Sequence, residues 1–200
     1  GQIWFNTTSS DYKTIQKVAG SWATGNNLST ARWGGGAGGT QTAGIVFAGN
    51  SGSNDDATEE YDGTNWTNGG DLNTARTEAG GDGTQTAAMC VGGNVSPKQQ
   101  NELYDGSSWS EVADLNTARK QLGGAGTQTA ALGITAGAPV TVNVESWNGT
   151  SWTEIANVNT ARGLMASGGT STSAPYGLGT TNSEGLREGC YDVYVFDAGE

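Results

Sequence analysis

The constraint that dominates this sequence is an internal repeat. The phrase "DLNTARTEAGGDGTQTAAM", from Asp71 to Met89, appears elsewhere as "NLSTARWGGGAGGTQTAG", "DLNTARKQLGGAGTQTAA" and "NVNTARGLMASGGTSTSA". Trp22, Trp66, Trp109 and Trp152 stand 44, 43 and 43 residues apart, and Arg32, Arg76, Arg119 and Arg162 keep the same intervals. Glu59, Glu102, Glu145 and Glu188 follow at a constant 43, so the divergent C-terminal region keeps the register. A period of this length implies a solenoid, an array or a propeller, in which each unit buries its apolar face only against its neighbours.

Within a unit the residues after the Arg read "KQLGGAGT", "QTAALGITAG", "VTVNVESWNG" and "SWTEIANVNTAR". Each is a short run bounded by Gly, Asn, Asp or Ser, the spelling of strands and turns, which predicts four strands per unit. No window holds apolar residues at the helical period for long enough to make an ordinary helix. The expected fold is therefore all-β. Four short antiparallel strands repeated every 43 residues match one blade of a β-propeller, where radial repetition leaves few exposed sheet edges. In such a blade the innermost strand lines a crowded axis, and "GGGAGG", "GGDG" and "GGAG" supply side chains small enough for backbones to approach there.

The landmarks also resemble a kelch repeat. "VGG" ends at Gly93, "ELYDG" carries Tyr104 and Asp105, Trp109 follows, and "LNTAR" closes with Arg119. Other units depart from the pattern: "FAGN" has one Gly at Gly49, and "ESWNG" places Trp147 where the Tyr stands. The resemblance spans residues 16–187 and implies a kelch-like propeller of about four blades, or five if the terminal strands add a partial one. Residues 1–15 then form an N-terminal strand extension, and 188–200 a C-terminal strand that closes or caps the ring. In one arrangement, strands near "YKTIQKVAGSWA" complete the blade begun by "GLMASGGTSTSAPYGLG".

In dialect, the units "LNTAR", "GAGTQTAAL" and "YDGSSW", preceded by "GQIWFNTTS", resemble repeats of tail and fibre proteins of tailed bacteriophages. That resemblance implies a non-enzymatic virion structural or adhesion module, extracellular on a tail, fibre or appendage. It would contact other virion proteins and host surface glycans, often within an oligomer. A secreted or cell-surface adhesin has a similar composition. The alternatives are a cellular kelch-type protein-interaction module and a sugar-active propeller enzyme.

Composition narrows the chemistry. Twenty acidic residues against nine basic ones give a net charge of −11, which opposes binding to nucleic-acid phosphates or anionic membranes. No apolar run approaches the ~20 residues of a membrane-spanning helix. The first residues lack the basic start and apolar block of a secretory signal, which leaves the compartment open. There is no histidine, so histidine-based triads and the usual zinc sites are not expected. Cys90 and Cys190 have no metal-binding spacing, and Cys90 sits in an apolar run as a small hydrophobe would. Neither catalytic residues nor a cofactor or metal is predicted. Asp55 and Asp56, or Glu59 and Glu60, are poor acid pairs because neighbours on a strand face opposite ways.

The once-per-unit Arg and Glu are expected to serve the scaffold, the Arg bonding backbone carbonyls or the repeat Glu and so fixing blade to blade. A ring of four Arg around the axis for an anion is the competing reading. The Trp of each unit is expected in inter-blade packing. Recognition belongs where copies differ, chiefly in "NSGSNDDATEE", "NVSPKQQNE" and "GAPVTVNVE", which join second and third strands. Candidate ligand contacts are Asn54, Asp55 and Asp56, together with Trp33, whose place is taken by Thr77, Lys120 and Gly163 in other units.

Overall fold

A computed structural model of the chain describes residues 3–6, 11–14, 24–96, 98–137, 140–164, 166–167, 169–177 and 193–197. No helix occurs among them, and the architecture is all-β. Sheet I comprises β3 (Gly36–Thr40), β4 (Ala43–Phe47), β5 (Thr58–Tyr61) and β6 (Trp66–Asn68). Sheet II comprises β7 (Gly80–Thr84), β8 (Ala87–Val91), β9 (Asn101–Tyr104) and β10 (Trp109–Val112). Sheet III comprises β11 (Gly123–Thr127), β12 (Ala130–Gly137), β13 (Val140–Trp147) and β14 (Trp152–Glu154). All three are antiparallel meanders whose strands lie in chain order.

Sheet IV has three strands, β15 (Ala166–Ser167), β16 (Ser173–Gly177) and β17 (Val193–Asp197). The C-terminal run "VYVFD" is therefore a strand of this sheet, paired along β16 from Ser173↔Asp197 to Gly177↔Val193. At the other end, β1 (Ile3–Asn6) and β2 (Asp11–Thr14) form a two-stranded sheet, pairing among the described residues with each other alone. Trp22 and Glu188, and with them the proposed completion of the last blade by the stretch around Trp22, lie outside the described residues.

The repeated turn chemistry explains the hairpins. "TQTA" makes a two-residue connection in each of the first three sheets, as where Thr84 pairs with Ala87 around Gln85 and Thr86. In "YDGSSW" the Asp105 carboxylate accepts the amides of Ser107 and Ser108 at 2.9 and 2.8 Å, closing the β9–β10 turn.

The second strand of each of sheets I to III is buried on both faces, which is why it reads as a continuous apolar run. Its alternate residues feed separate layers. Ala88 and Cys90 pack with Ile45, Phe47, Tyr104 and Trp109 between sheets I and II, whereas Met89 and Val91 pack with Leu115, Trp147 and Trp152 between sheets II and III. Leu132, Ile134 and Val144 fill a third layer on the far face of sheet III. Trp109 meets Phe47 edge-on at 4.8 Å between ring centroids and donates its indole N–H to Thr58 Oγ1 at 2.9 Å, a contact from sheet II into sheet I.

The first strands of sheets I, II and III lie side by side, β7 between β3 and β11. Their glycines set that spacing. A Cβ on Gly38 would stand 2.8 Å from the Gly83 carbonyl oxygen, and one on Gly124 would stand 3.0 Å from the Gly81 nitrogen. Both contacts are backbone of the adjoining sheet, which cannot turn aside as a side chain can.

Candidate functional site

In an up-and-down sheet of four strands, the turn between the second and third strands and the connector leaving the fourth strand emerge at the same end. That end gathers the loops after β4, β8 and β12 with the "NTAR" connectors.

The connectors are built around the repeat Arg and Glu. The Arg32, Arg76 and Arg119 guanidiniums each reach the Glu of the sheet they lead into, Glu59, Glu102 and Glu145. The distances are 2.8 Å for Arg32 and 2.7 Å for Arg119. Each Glu also accepts a connector amide, from Ser29, Asn73 and Asn116, at 2.7 to 2.8 Å. Each of these Arg side chains donates to sheet carbonyls as well, Arg76 to Gly92 and Gln100. The same residue's main chain is tied to the preceding sheet: Arg76 N–H donates to Asp55 O and Arg76 O accepts from Gly49 N. One residue thus joins two sheets, its backbone to one and its side chain to the next. Arg162 is buried at the equivalent place before sheet IV.

Two residues after each Arg stand Gly34, Glu78, Gln121 and Leu164. Their backbones form a ladder across units, with Glu78 N–H donating to Gly34 O at 2.7 Å, Gln121 N–H to Glu78 O at 2.7 Å and Leu164 N–H to Gln121 O at 3.2 Å. All four adopt left-handed φ, 66°, 59°, 58° and 54° in that order. This region suits glycine and is unfavourable for a side chain as bulky as leucine.

The four residues surround a cavity of about 370 Å³, with Trp33 and Leu122 also in its wall. Below it lies a second, smaller space of about 190 Å³ whose lining includes residues of all four sheets, among them Gly36, Gly81, Gly124 and Ser167. Trp33 is 60% exposed and Leu164 46%, the two large hydrophobic residues left exposed among the described residues, and both border the upper cavity. The same wall carries a polar group: Glu78 accepts Lys120 Nζ at 2.6 Å and Gln121 Nε2 at 2.7 Å. The site therefore combines an indole, a leucine, an amide and a carboxylate already held by an ammonium.

The other sequence candidates sit apart from this arrangement or beside it. Trp33 is bridged to Asn50 by two backbone hydrogen bonds, and Asn50 to Asn54, so the loop after β4 supports the rim. Asn54 Nδ2 donates to Asn94 O at 2.6 Å, binding that loop to its neighbour in sheet II. Asp55 Oδ1 accepts the Ala57 amide at 2.9 Å, and its other oxygen lies 3.9 Å from Arg32. Burial raises the Asp55 carboxyl's pKa, but the Ala57 amide, Ser51 and Arg32 outweigh it and bring it below the usual value. Asp55 thus helps to hold its loop through these contacts. Asp56 is exposed, and its carbonyl accepts the Leu72 amide. The described residues contain no group of three potential metal ligands.

Glu78, Gln121 and Leu164 are the site residues that sequence reasoning missed. Their signal was present in the variation of Gly, Glu, Gln and Leu at one repeat position. Gln85 and Gln128 were missed too: each side-chain amide crosses to the preceding sheet, Gln85 donating to Gly44 O at 3.1 Å and Tyr61 O at 2.9 Å, Gln128 to Ala88 O at 3.0 Å.

No protein-family model matches this chain, and no curated protein matches it significantly.

Proposed function

We propose that the four sheets are blades of a kelch-like propeller, and that the protein is a non-enzymatic adhesion module of a phage tail, fibre or other surface appendage that contacts host surface glycans. The blade reading is supported by the side-by-side first strands and by a lower space bordered by all four sheets. The appendage reading is supported by the resemblance of the repeat units to those of tail and fibre proteins.

Glycan contact rests on one observation. Trp33, in a connector that the other copies fill with Thr, Lys or Gly, stands exposed in the wall of a concave site that also carries hydrogen-bonding groups. An aromatic platform beside an amide and a carboxylate matches a sugar, which has an apolar face and a hydroxyl edge. A paired-acid hydrolysis needs two facing carboxyl groups, and the described cavity wall offers Glu78 alone.

The test is binding of the intact protein to bacterial cell envelopes and to an array of surface glycans. Saturable binding to both is expected. Failure on every envelope and glycan, with capture of a defined cellular protein instead, would replace this reading with that of a protein-interaction module.

A further inference from the structure

We propose that the ladder residues Glu78, Gln121 and Leu164, with Trp33, form a subsite for one uncharged sugar residue. This inference rests on the adhesion reading above and narrows it to a ligand class and a set of specificity residues.

The first argument is conformational. The connector places the second residue after each Arg in left-handed φ, and Gly34 meets that demand without cost. Three units nevertheless carry long side chains there. Strained positions of this kind persist where the surroundings hold them and cluster at ligand clamps. Here all three border one cavity, which gives a reason for keeping the side chains despite the backbone.

The second argument is the distribution of chemistry around the ladder. Every unit supplies the same backbone, yet the side chains break the repeat symmetry: Trp33 and Leu164 are apolar, Glu78 and Gln121 polar, and all four line one cavity. A pyranose ring lying on the indole would turn its hydroxyl edge toward the Glu78 carboxylate, whose oxygens retain lone pairs beyond those given to Lys120 and Gln121.

The third argument is charge. The described cavity wall contains one carboxylate and no cation, since Lys120 lies outside it and is paired with Glu78 at 2.6 Å. A sialic or uronic acid would find no cation in that wall to pair with, the Lys120 ammonium beside it being taken up by Glu78, and would enter a protein of net charge −11. An uncharged sugar meets neither obstacle. At about 370 Å³ the cavity is at the small end of the ~300–1,000 Å³ range for small-ligand pockets, a size for the end of a glycan rather than a peptide loop.

The experiment uses the methyl glycosides of glucose, galactose, mannose and N-acetylglucosamine, with glucuronic and sialic acid glycosides as the charged set. Binding is read by saturation-transfer NMR and by protection of exposed indole from acrylamide quenching. Two variants replace a site residue by what another copy carries there: Trp33→Thr and Leu164→Gly. At least one neutral glycoside is expected to bind, and each variant to weaken it tenfold or more with its melting temperature within a few degrees of the parent, because glycine relieves the strain at Leu164. Preference for the charged set would overturn the proposal. So would unchanged affinity in both variants while envelope adhesion persists, which would move the contact to the loops after β4, β8 and β12. Absence of envelope and glycan binding by the parent protein would remove the adhesion reading together with the subsite.

Discussion

At the residue scale, the Arg–Glu pair is the most heavily committed feature of each unit. The Arg76 and Glu102 side chains are 0% and 1% exposed, so neither charge has water to fall back on. Removing one partner of a buried pair strands the other, at a cost of about 3–5 kcal/mol. Arg76→Met should therefore lower the denaturation midpoint by roughly 10 °C or more in a chain of this size, as read by thermal circular dichroism. A gentler case lies between sheets. Trp109 donates to Thr58, but one unit on, the Trp152 indole N–H and the Asn101 side chain make no hydrogen bond. Asn101→Thr copies the earlier pair and is expected to stabilise by about 1 kcal/mol, a calorimetric shift of a few degrees upward.

At the scale of elements, the first strand of each unit is selected for its narrowness. Gly38→Ala would force a methyl against the Gly83 carbonyl at 2.8 Å, whereas at Gly44 in the next strand the nearest atom would be 3.5 Å away, an ordinary contact. The two substitutions change the same atoms in the same hairpin. Gly38→Ala is expected to destabilise by about 1–3 kcal/mol through overpacking, and Gly44→Ala to be near neutral or slightly stabilising. Equal effects in urea denaturation would show that sheet spacing is not set by these glycines. The strand after it is decided by a different demand: alternate residues of "AAMCV" must fill two layers, which buries Cys90 completely and pushes its thiol up to about 12. That thiol should stay unreactive toward thiol reagents until the fold opens.

For the whole molecule, charge sets the response to pH. At neutral pH the net charge of −11 works against compactness, and this self-repulsion falls as pH moves toward the isoelectric point near 4.2. Opposing it are carboxylates held ionised by hydrogen bonds. Asp105 is drawn down to about 2, first by the Ser108 amide and then by Ser107, and Asp55, Glu59 and Asp62 are also lowered. For a group depressed in the folded state, the contribution is present above its unfolded value and is lost as pH falls through the folded one. Stability is therefore expected to rise slightly from neutral pH toward pH 5 and then fall between about pH 4 and 2. Added salt should raise the midpoint more at neutral pH than near pH 5, because repulsion is what it screens. A midpoint that is flat from pH 7 to 2 in thermal scans would contradict this account.

The period, the all-β class, the four strands of each of the first three units and the need for small residues in the first strand were all legible from the sequence. They rest on local chemistry repeated at fixed spacing: turn residues, short apolar runs and glycines. A repeat also separates what every unit needs from what one unit adds, and that made Trp33 visible against Thr77, Lys120 and Gly163. The sequence could not supply the relation among units. Arg and Glu of one copy are 26 or 27 residues apart, and only the folded chain shows that the Arg side chain enters the sheet ahead while its backbone stays with the sheet behind. The placing of the C-terminal run beside β16 likewise depended on long-range pairing rather than propensity. The cavity is the clearest instance. Gly34, Glu78, Gln121 and Leu164 are unremarkable one at a time, and their meaning comes from a left-handed backbone ladder that brings residues 43 or 44 positions apart around one space. Local sequence determined the units, whereas packing between units decided the site.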